Sequence, residues 1–235
     1  MHTILRIVAV ASLIFVNTLL VLANPLPIPS PQGQPTTASC AAITIITARG
    51  TSEDPGEGRL TTVASDIANG HENSERIALD YPAELFPYSV SLYRGIQALT
   101  GLLNTSASGC PETKIVLLGY SQGAHVIGNT LCGGAFAAGI DQRITEKVSA
   151  IVFMADPRHV PGKSFDVGTS TRNGLLPRPD SESCDEFASR MRSYCDSGDP
   201  VCDSGFEQEV HRGVVEKYRA DAVGFVNGLL AELCL

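Results

Sequence analysis

The segment Gly119-Tyr120-Ser121-Gln122-Gly123 follows the apolar run Lys114 to Leu118 and precedes a helix-like stretch, Ala124 to Cys132. A strand that turns sharply into a helix with a single serine on the turn is a nucleophile elbow, and it commits the surrounding chain to alternating strands and helices. Ile115, Val116, Leu117 and Leu118 form the unbroken apolar run of a strand covered on both faces. Glycines on either side of the serine lack a Cβ, so they are expected to supply a strained backbone that lifts the hydroxyl out of the sheet. On these residues alone, the alternative is a tight turn with an incidental serine.

The rest of the chain repeats the alternation. Ile43 to Thr47 reads as a strand, Leu60 to Ala68 as a helix stopped at Asn69-Gly70, and Arg76 to Leu79 as a second strand. Tyr88 to Leu103 places Val90, Tyr93, Ile96, Leu99 and Leu103 at near-helical intervals, and Lys114 to Tyr120 is the third strand. Val148 to Ala155 and Ser189 to Tyr194 read as the fourth and fifth. Val214 to Leu233 reads as a closing helix with core contacts at Tyr218, Val223, Phe225 and Leu229. Such alternation builds a small parallel sheet of about five strands with helices on both faces, and ligands bind beyond the carboxyl ends of the strands, where Ser121 lies.

A chain of 235 residues that is 43% hydrophobic is long enough for one domain with a sizeable core. Acids outnumber Lys plus Arg by 25 to 17 and no basic run occurs, which suits a neutral substrate and excludes a nucleic-acid or anionic-membrane footprint. Residues 1–23 combine Arg6, an apolar core from Ile7 to Leu22 broken by Ser12, Asn17 and Thr18, and short residues at Val21 and Ala23. They read as a secretory signal peptide cleaved after Ala23, the apolar run being short and interrupted for a membrane span. Residues 24–39, with Pro25, Pro27, Pro29, Pro31 and Pro35, read as an extended leader or pro-segment, and residues 40–235 as the folded domain.

Secretion puts the seven cysteines, Cys40, Cys110, Cys132, Cys184, Cys195, Cys202 and Cys234, in an oxidising compartment where disulfides are the expected state. No Cys-x-x-Cys or His-Glu-x-x-His spacing supplies a metal site, and neither a metal nor a cofactor is expected. Asn104-Thr105-Ser106 is a glycosylation sequon, read as part of a polar connection.

A serine hydroxyl needs a base to take its proton, and the base needs an acid to hold its tautomer. With a serine elbow the chain order is serine, acid, histidine. Of the histidines after Ser121, His125 lies one turn along the elbow helix with no acid between, which suits a helix-surface or core residue. His159 follows Asp156 too closely for a loop to bring both back over the elbow. His211 follows Cys195-Asp196-Ser197-Gly198-Asp199-Pro200-Val201-Cys202, where a disulfide would close a small loop and restrict Asp199 to few positions. Asp199 is therefore preferred over Asp196, Asp203 and Asp156 as the orienting acid, the alternative being a stapled surface turn. The oxyanion donors expected in this architecture are the backbone N–H of Gln122 and, from the loop Arg49-Gly50-Thr51-Ser52 after the first strand, Thr51.

Taken together, these segments resemble the cutinase and acetylxylan esterase family of secreted serine esterases. The likeness runs from about Cys40 to the C-terminus. It rests on Ala48-Arg49-Gly50-Thr51, Gly119 to Ala124, Leu131-Cys132-Gly133-Gly134, Phe153-Met154-Ala155-Asp156-Pro157, Tyr194 to Cys202 with Gly198-Asp199, and His211. The resemblance implies a three-layer α/β/α fold of the α/β-hydrolase type without a large lid. It implies Ser121 as nucleophile, Asp199 as acid, His211 as base, and Thr51 with Gln122 as oxyanion hole. It also implies disulfides Cys40–Cys110, Cys132–Cys184 and Cys195–Cys202, leaving Cys234 free or paired between chains.

The implied partner is an ester substrate in a plant cell-wall polymer, acetylated xylan or cutin, acted on by a monomer without membrane attachment after signal cleavage. The Leu-Cys-Gly-Gly, Asp-Pro and Tyr-Cys-Asp segments lean toward the xylan-acting members. Leu85, Phe86 and Tyr88 lean toward an aliphatic acyl site, the loop Asp203 to Val210 is mixed, with Phe206 and Val210 apolar but Glu207 and Glu209 charged, and no tryptophan is present to stack on a sugar. A secreted binding or effector protein on the same fold is the alternative from another class, since a fold alone does not exclude it.

Overall fold

The computed structural model describes residues 40–232; the signal-peptide and leader readings and Cys234 lie outside them. Six parallel strands run in the order β2-β1-β3-β4-β6-β5, comprising β1 Ile43–Ala48, β2 Ser74–Ala78, β3 Lys114–Tyr120, β4 Val148–Met154, β5 Asp166–Val167 and β6 Met191–Tyr194. The helices are α1 Thr61–Asn69, α2 Tyr88–Gly109, α3 Gln122–Cys132, the short α4 Gln142–Thr145, and α5 Gln208–Glu232.

Two cores lie on opposite faces of the sheet, because successive strand side chains point to opposite sides. Ile115 and Leu117 of β3 join Ile46, Ile151 and Phe153 beneath α2 and α3, while Val116 and Leu118 join Ile45, Val152 and Met154 against α1 and α5. Alternate residues of β3 thus feed separate cores, which is why its sequence is apolar without a period. Full burial of each such side chain stabilises the fold by roughly 1.5–3 kcal/mol.

Several expected boundaries move. β5, two residues at the sheet edge beside β6, carries no periodic signal and was not anticipated. The segment Ser189-Arg190 belongs to a 3-10 stretch, Asp185–Arg190, that leads into β6. α2 runs on to Gly109, so the Asn104 sequon sits on an exposed helical face instead of in a connection. There Asn104, Thr105 and Ser108 turn their polar groups back onto carbonyls four residues earlier.

α5 begins at Gln208, which puts His211 in its first turn. Besides His211, its buried residues are Val214, Val215, Ala222, Val226 and Leu230, whereas Tyr218, Val223, Phe225 and Leu229 are only partly buried beside that stripe. Three disulfides join Cys40 to Cys110, Cys132 to Cys184 and Cys195 to Cys202.

Candidate active site

Ser121 stands at the carboxyl end of β3, where the chain turns into α3, with φ 53° and ψ −116°. The strain therefore resides in the serine, and the flanking glycines serve a different purpose from the one expected. A Cβ on Gly123 would come within 1.8 Å of the Ala48 carbonyl oxygen, and one on Gly119 within 2.7 Å of the Ala124 backbone. Both glycines let α3 approach the sheet closely enough to hold the turn. The N–H of Ser121 donates to the Met154 carbonyl at 2.8 Å, anchoring the elbow to β4. Gln122 is the first residue of α3, so its backbone N–H faces outward at a helix N-terminus, an environment that favours developing negative charge.

Thr51 follows β1 and lines the same crevice as Ser121. Its loop is held from below: the buried Arg49 guanidinium donates to the carbonyls of Glu53, Leu79 and Tyr81, and the Tyr81 hydroxyl donates to the Arg49 carbonyl at 2.5 Å. The Glu53 carboxylate accepts the N–H groups of Gly50 and Arg59. Gly50 is required because a Cβ there would meet the Tyr120 ring at 2.6 Å.

Asp199 is fully buried in the loop closed by Cys195–Cys202. One carboxylate oxygen accepts the N–H groups of Val201 and Cys202 at 2.7 and 3.0 Å, and the two oxygens lie 3.1 and 3.0 Å from His211 Nδ1. A carboxylate so held accepts a hydrogen bond from Nδ1–H, keeps the proton on that nitrogen and leaves Nε2 as the basic one. The imidazole is seated on Tyr120, the neighbour of Ser121, with ring centroids 5.1 Å apart, and the Tyr120 hydroxyl donates to the His211 carbonyl at 3.2 Å. Among the described residues the Ser121 hydroxyl makes no hydrogen bond to the protein. Catalytic contacts of this kind commonly close only once substrate is bound.

The other acids and histidines are engaged elsewhere. Asp196 pairs with Lys217 at 2.6 Å and accepts from Tyr218 and Thr169, while Asp203 is held by Arg172 and Ser170. Asp156 and His159 line a separate cavity with Arg158, Asp166 and Arg178. Burial pushes the Asp156 carboxyl above its usual range, an effect that Arg178 offsets only in part.

His125 is a core residue, its Nδ1 lying 3.0 Å from the Tyr88 hydroxyl. Burial, helped by the nearby charges of Arg158 and Arg178, lowers its pKa from 6.5 to about 3. The neutral ring and the Tyr88 hydroxyl share one hydrogen bond at Nδ1. Because an unfolded chain protonates this histidine near pH 6.5 and the native one only near pH 3, acid favours unfolding throughout that window. By about pH 5 this group alone is expected to remove about 2 kcal/mol of stability relative to neutral pH. Urea denaturation at the two pH values checks this, and His125→Gln should show a smaller loss than the parent; an equal loss would contradict the assignment.

The crevice above Ser121 has a volume of about 280 Å³ and is walled by Leu85, Tyr88, Pro157, Leu175, Leu176 and Val201. Tyr88 and Leu85 were anticipated. Leu175 and Leu176 were not; the sign of a binding surface, an apolar pair left 59% and 48% exposed, appears only in the folded chain. The segment is held in place by donation from Leu175 N–H to Val201 O and from Leu176 N–H to Pro157 O.

A parallel sheet whose central strand ends in a strained serine, beside a crevice and a buried carboxylate–imidazole pair, defines a serine hydrolase of the α/β-hydrolase class. A family model described as Cutinase matches residues 39–230. The chain belongs to the cutinase family. It is 36% identical to acetylxylan esterase 2 of Talaromyces purpureogenus, over 82% of this chain and 88% of that one. It is 35% identical to cutinase 11 of Verticillium dahliae, over 82% and 70%. The solved catalytic core of the Trichoderma reesei acetyl xylan esterase superposes with a TM-score of 0.76 at 33% identity, over 81% of this chain and all of that one. The chain is accordingly a serine carboxylic-ester hydrolase.

Proposed function

We propose that Ser121 is the nucleophile, His211 the general base, Asp199 its orienting acid, and the backbone N–H groups of Thr51 and Gln122 the oxyanion donors. The observation that carries this reading is the Asp199–His211 pair, buried on a stapled loop with the imidazole packed on the residue next to Ser121. His211 Nε2 takes the Ser121 proton as Oγ attacks the ester carbonyl, and passes it to the departing alkoxide as the carbon–oxygen bond breaks. Water, deprotonated by the same nitrogen, then attacks the acyl-enzyme and releases the carboxylic acid and Ser121.

The substrate is a short-chain ester, foremost the acetyl groups of plant cell-wall xylan. A crevice of about 280 Å³ lies at the small end of ligand sites and suits a short acyl group, and two of the similar proteins are acetylxylan esterases. A second reading, hydrolysis of aliphatic polyester such as cutin, is favoured by the exposed apolar lip formed by Leu85, Leu175 and Leu176. Acetate release from acetylated xylan, compared with hydrolysis of butyrate, longer esters and a polyester film, separates the two. The first reading expects preference for xylan and a fall in rate beyond butyrate; faster cleavage of the film and of longer chains would transfer the assignment to the second.

The enzyme acts outside the cell as a monomer, with residues 1–23 as signal peptide, 24–39 as leader and 40–235 as catalytic domain. Three disulfides support this setting. Asn104, exposed on α2, is then open to glycosylation.

A further inference from the structure

Ser91 lies one turn into α2, away from the reacting atoms, and is buried together with the Gln122 side chain. Its Oγ accepts the Glu84 N–H at 3.0 Å and donates to Gln122 Oε1 at 2.9 Å, while Gln122 Nε2 donates to the Glu84 carbonyl at 3.0 Å. Three hydrogen bonds thus close a ring through α2, the turn at Ala83–Glu84 and the first residue of α3. The same turn reaches the other side of the site, because the Ala83 carbonyl accepts the N–H of Ser52, next to Thr51, at 2.7 Å. Ala83 has φ 53°, a left-handed conformation that a residue with a Cβ holds only when its surroundings impose it. One strained turn therefore touches both loops that carry the oxyanion donors.

We propose that Ser91 is a positioning residue for the oxyanion hole, pinning the Ala83–Glu84 turn to Gln122 so that the N–H groups of Thr51 and Gln122 keep a fixed separation. The inference rests on the assignment of those two residues as oxyanion donors. The ring contains no ionisable group, so it serves geometry and not charge. Donors aimed in advance at the oxyanion act mainly in the transition state, so loosening them lowers kcat more than it raises KM. Leu85, which walls the crevice, follows Glu84 directly, so the acyl wall and the donors share this support.

Ser91→Ala should lower kcat on p-nitrophenyl acetate about tenfold with KM changed less than about twofold. It should weaken inhibition by phenylboronic acid, whose serine adduct is tetrahedral, by a similar factor, and leave the pH profile in place. Ser89→Ala, one exposed residue away on the same helix, should change neither reading. Gln122→Met keeps the backbone donor but removes the ring from its other side, and should show the same loss. The double variant should be no worse than either single one, because both break one device.

Wild-type kcat and boronate affinity in folded Ser91→Ala would overturn the proposal, as would losses that multiply in the double variant. If Ser91→Ala does not fold, Gln122→Met with unimpaired kcat overturns it alone. Failure of the underlying reading of the site shows separately, as turnover surviving in Ser121→Ala, because without attack by Ser121 no oxyanion forms between those two N–H groups.

Discussion

Ser121→Ala is expected to reduce kcat toward p-nitrophenyl acetate by about 10⁵-fold, down to what the oxyanion donors and the crevice contribute without a nucleophile. The size of the effect follows from chemistry: the other hydroxyl of the elbow, on Tyr120, is buried and donates to the His211 carbonyl, so the acyl-enzyme route is closed and water must attack directly. The fold should be little affected, since Ser121 holds the elbow through its backbone, by donation to Met154 and acceptance from His125. Two measurements test the assignment: steady-state turnover, and labelling by a fluorophosphonate, which should mark the parent protein and not the variant. Turnover within tenfold of the parent, or undiminished labelling, would remove Ser121 from its role.

Asp199→Asn is expected to lower kcat by about 10⁴-fold with the fold retained. The asparagine carbonyl can still accept the N–H groups of Val201 and Cys202, and the Cys195–Cys202 disulfide still closes the loop. Its amide would then face Nδ1 as a donor and force the imidazole proton onto Nε2, the atom that must receive the proton of Ser121. The defect is therefore one of tautomer, and melting temperature should move far less than rate. Asp196→Asn and Asp203→Asn make useful comparisons, since those carboxylates serve Lys217 and Arg172 respectively. A loss at Asp199 no larger than at either of them would refute the assignment.

Much of the fold is legible locally. The elbow, the buried strands β1, β3 and β4, and the helices α1 and α3 announce themselves through apolar runs, helical spacing and glycine stops. Errors gather where local signals are weak or overridden. β5 is two residues long and owes its existence to pairing with β6. The polar end of α2 reads locally as a connection, yet the helix runs on to Gly109. The buried stripe of α5 is set by which side meets the sheet, so large side chains such as Tyr218 and Phe225 end up beside it.

The candidate site divides in the same way. Chain order and a stapled loop pointed to Asp199 and His211, but their pairing, and the bond to Tyr88 that engages His125, appear only in three dimensions. Nor does the sequence reveal that Leu175 and Leu176 complete the crevice, or that Ser91 joins Gln122 to the turn at Glu84.

By itself the sequence determined the chemistry available to this protein: a serine on a strand-to-helix turn, an acid and a histidine in workable order, and cysteines suited to an oxidising environment. These are properties of neighbouring residues, decided by backbone sterics and apolar spacing. Only the tertiary structure decided which carboxylate meets which imidazole, which glycines serve packing and not strain, and what walls the crevice. Most of those contacts join groups well separated along the chain, 12 residues for Asp199 and His211 and many tens for Gly123 and Ala48, brought together by burial of the two faces of the sheet, and no local pattern encodes them.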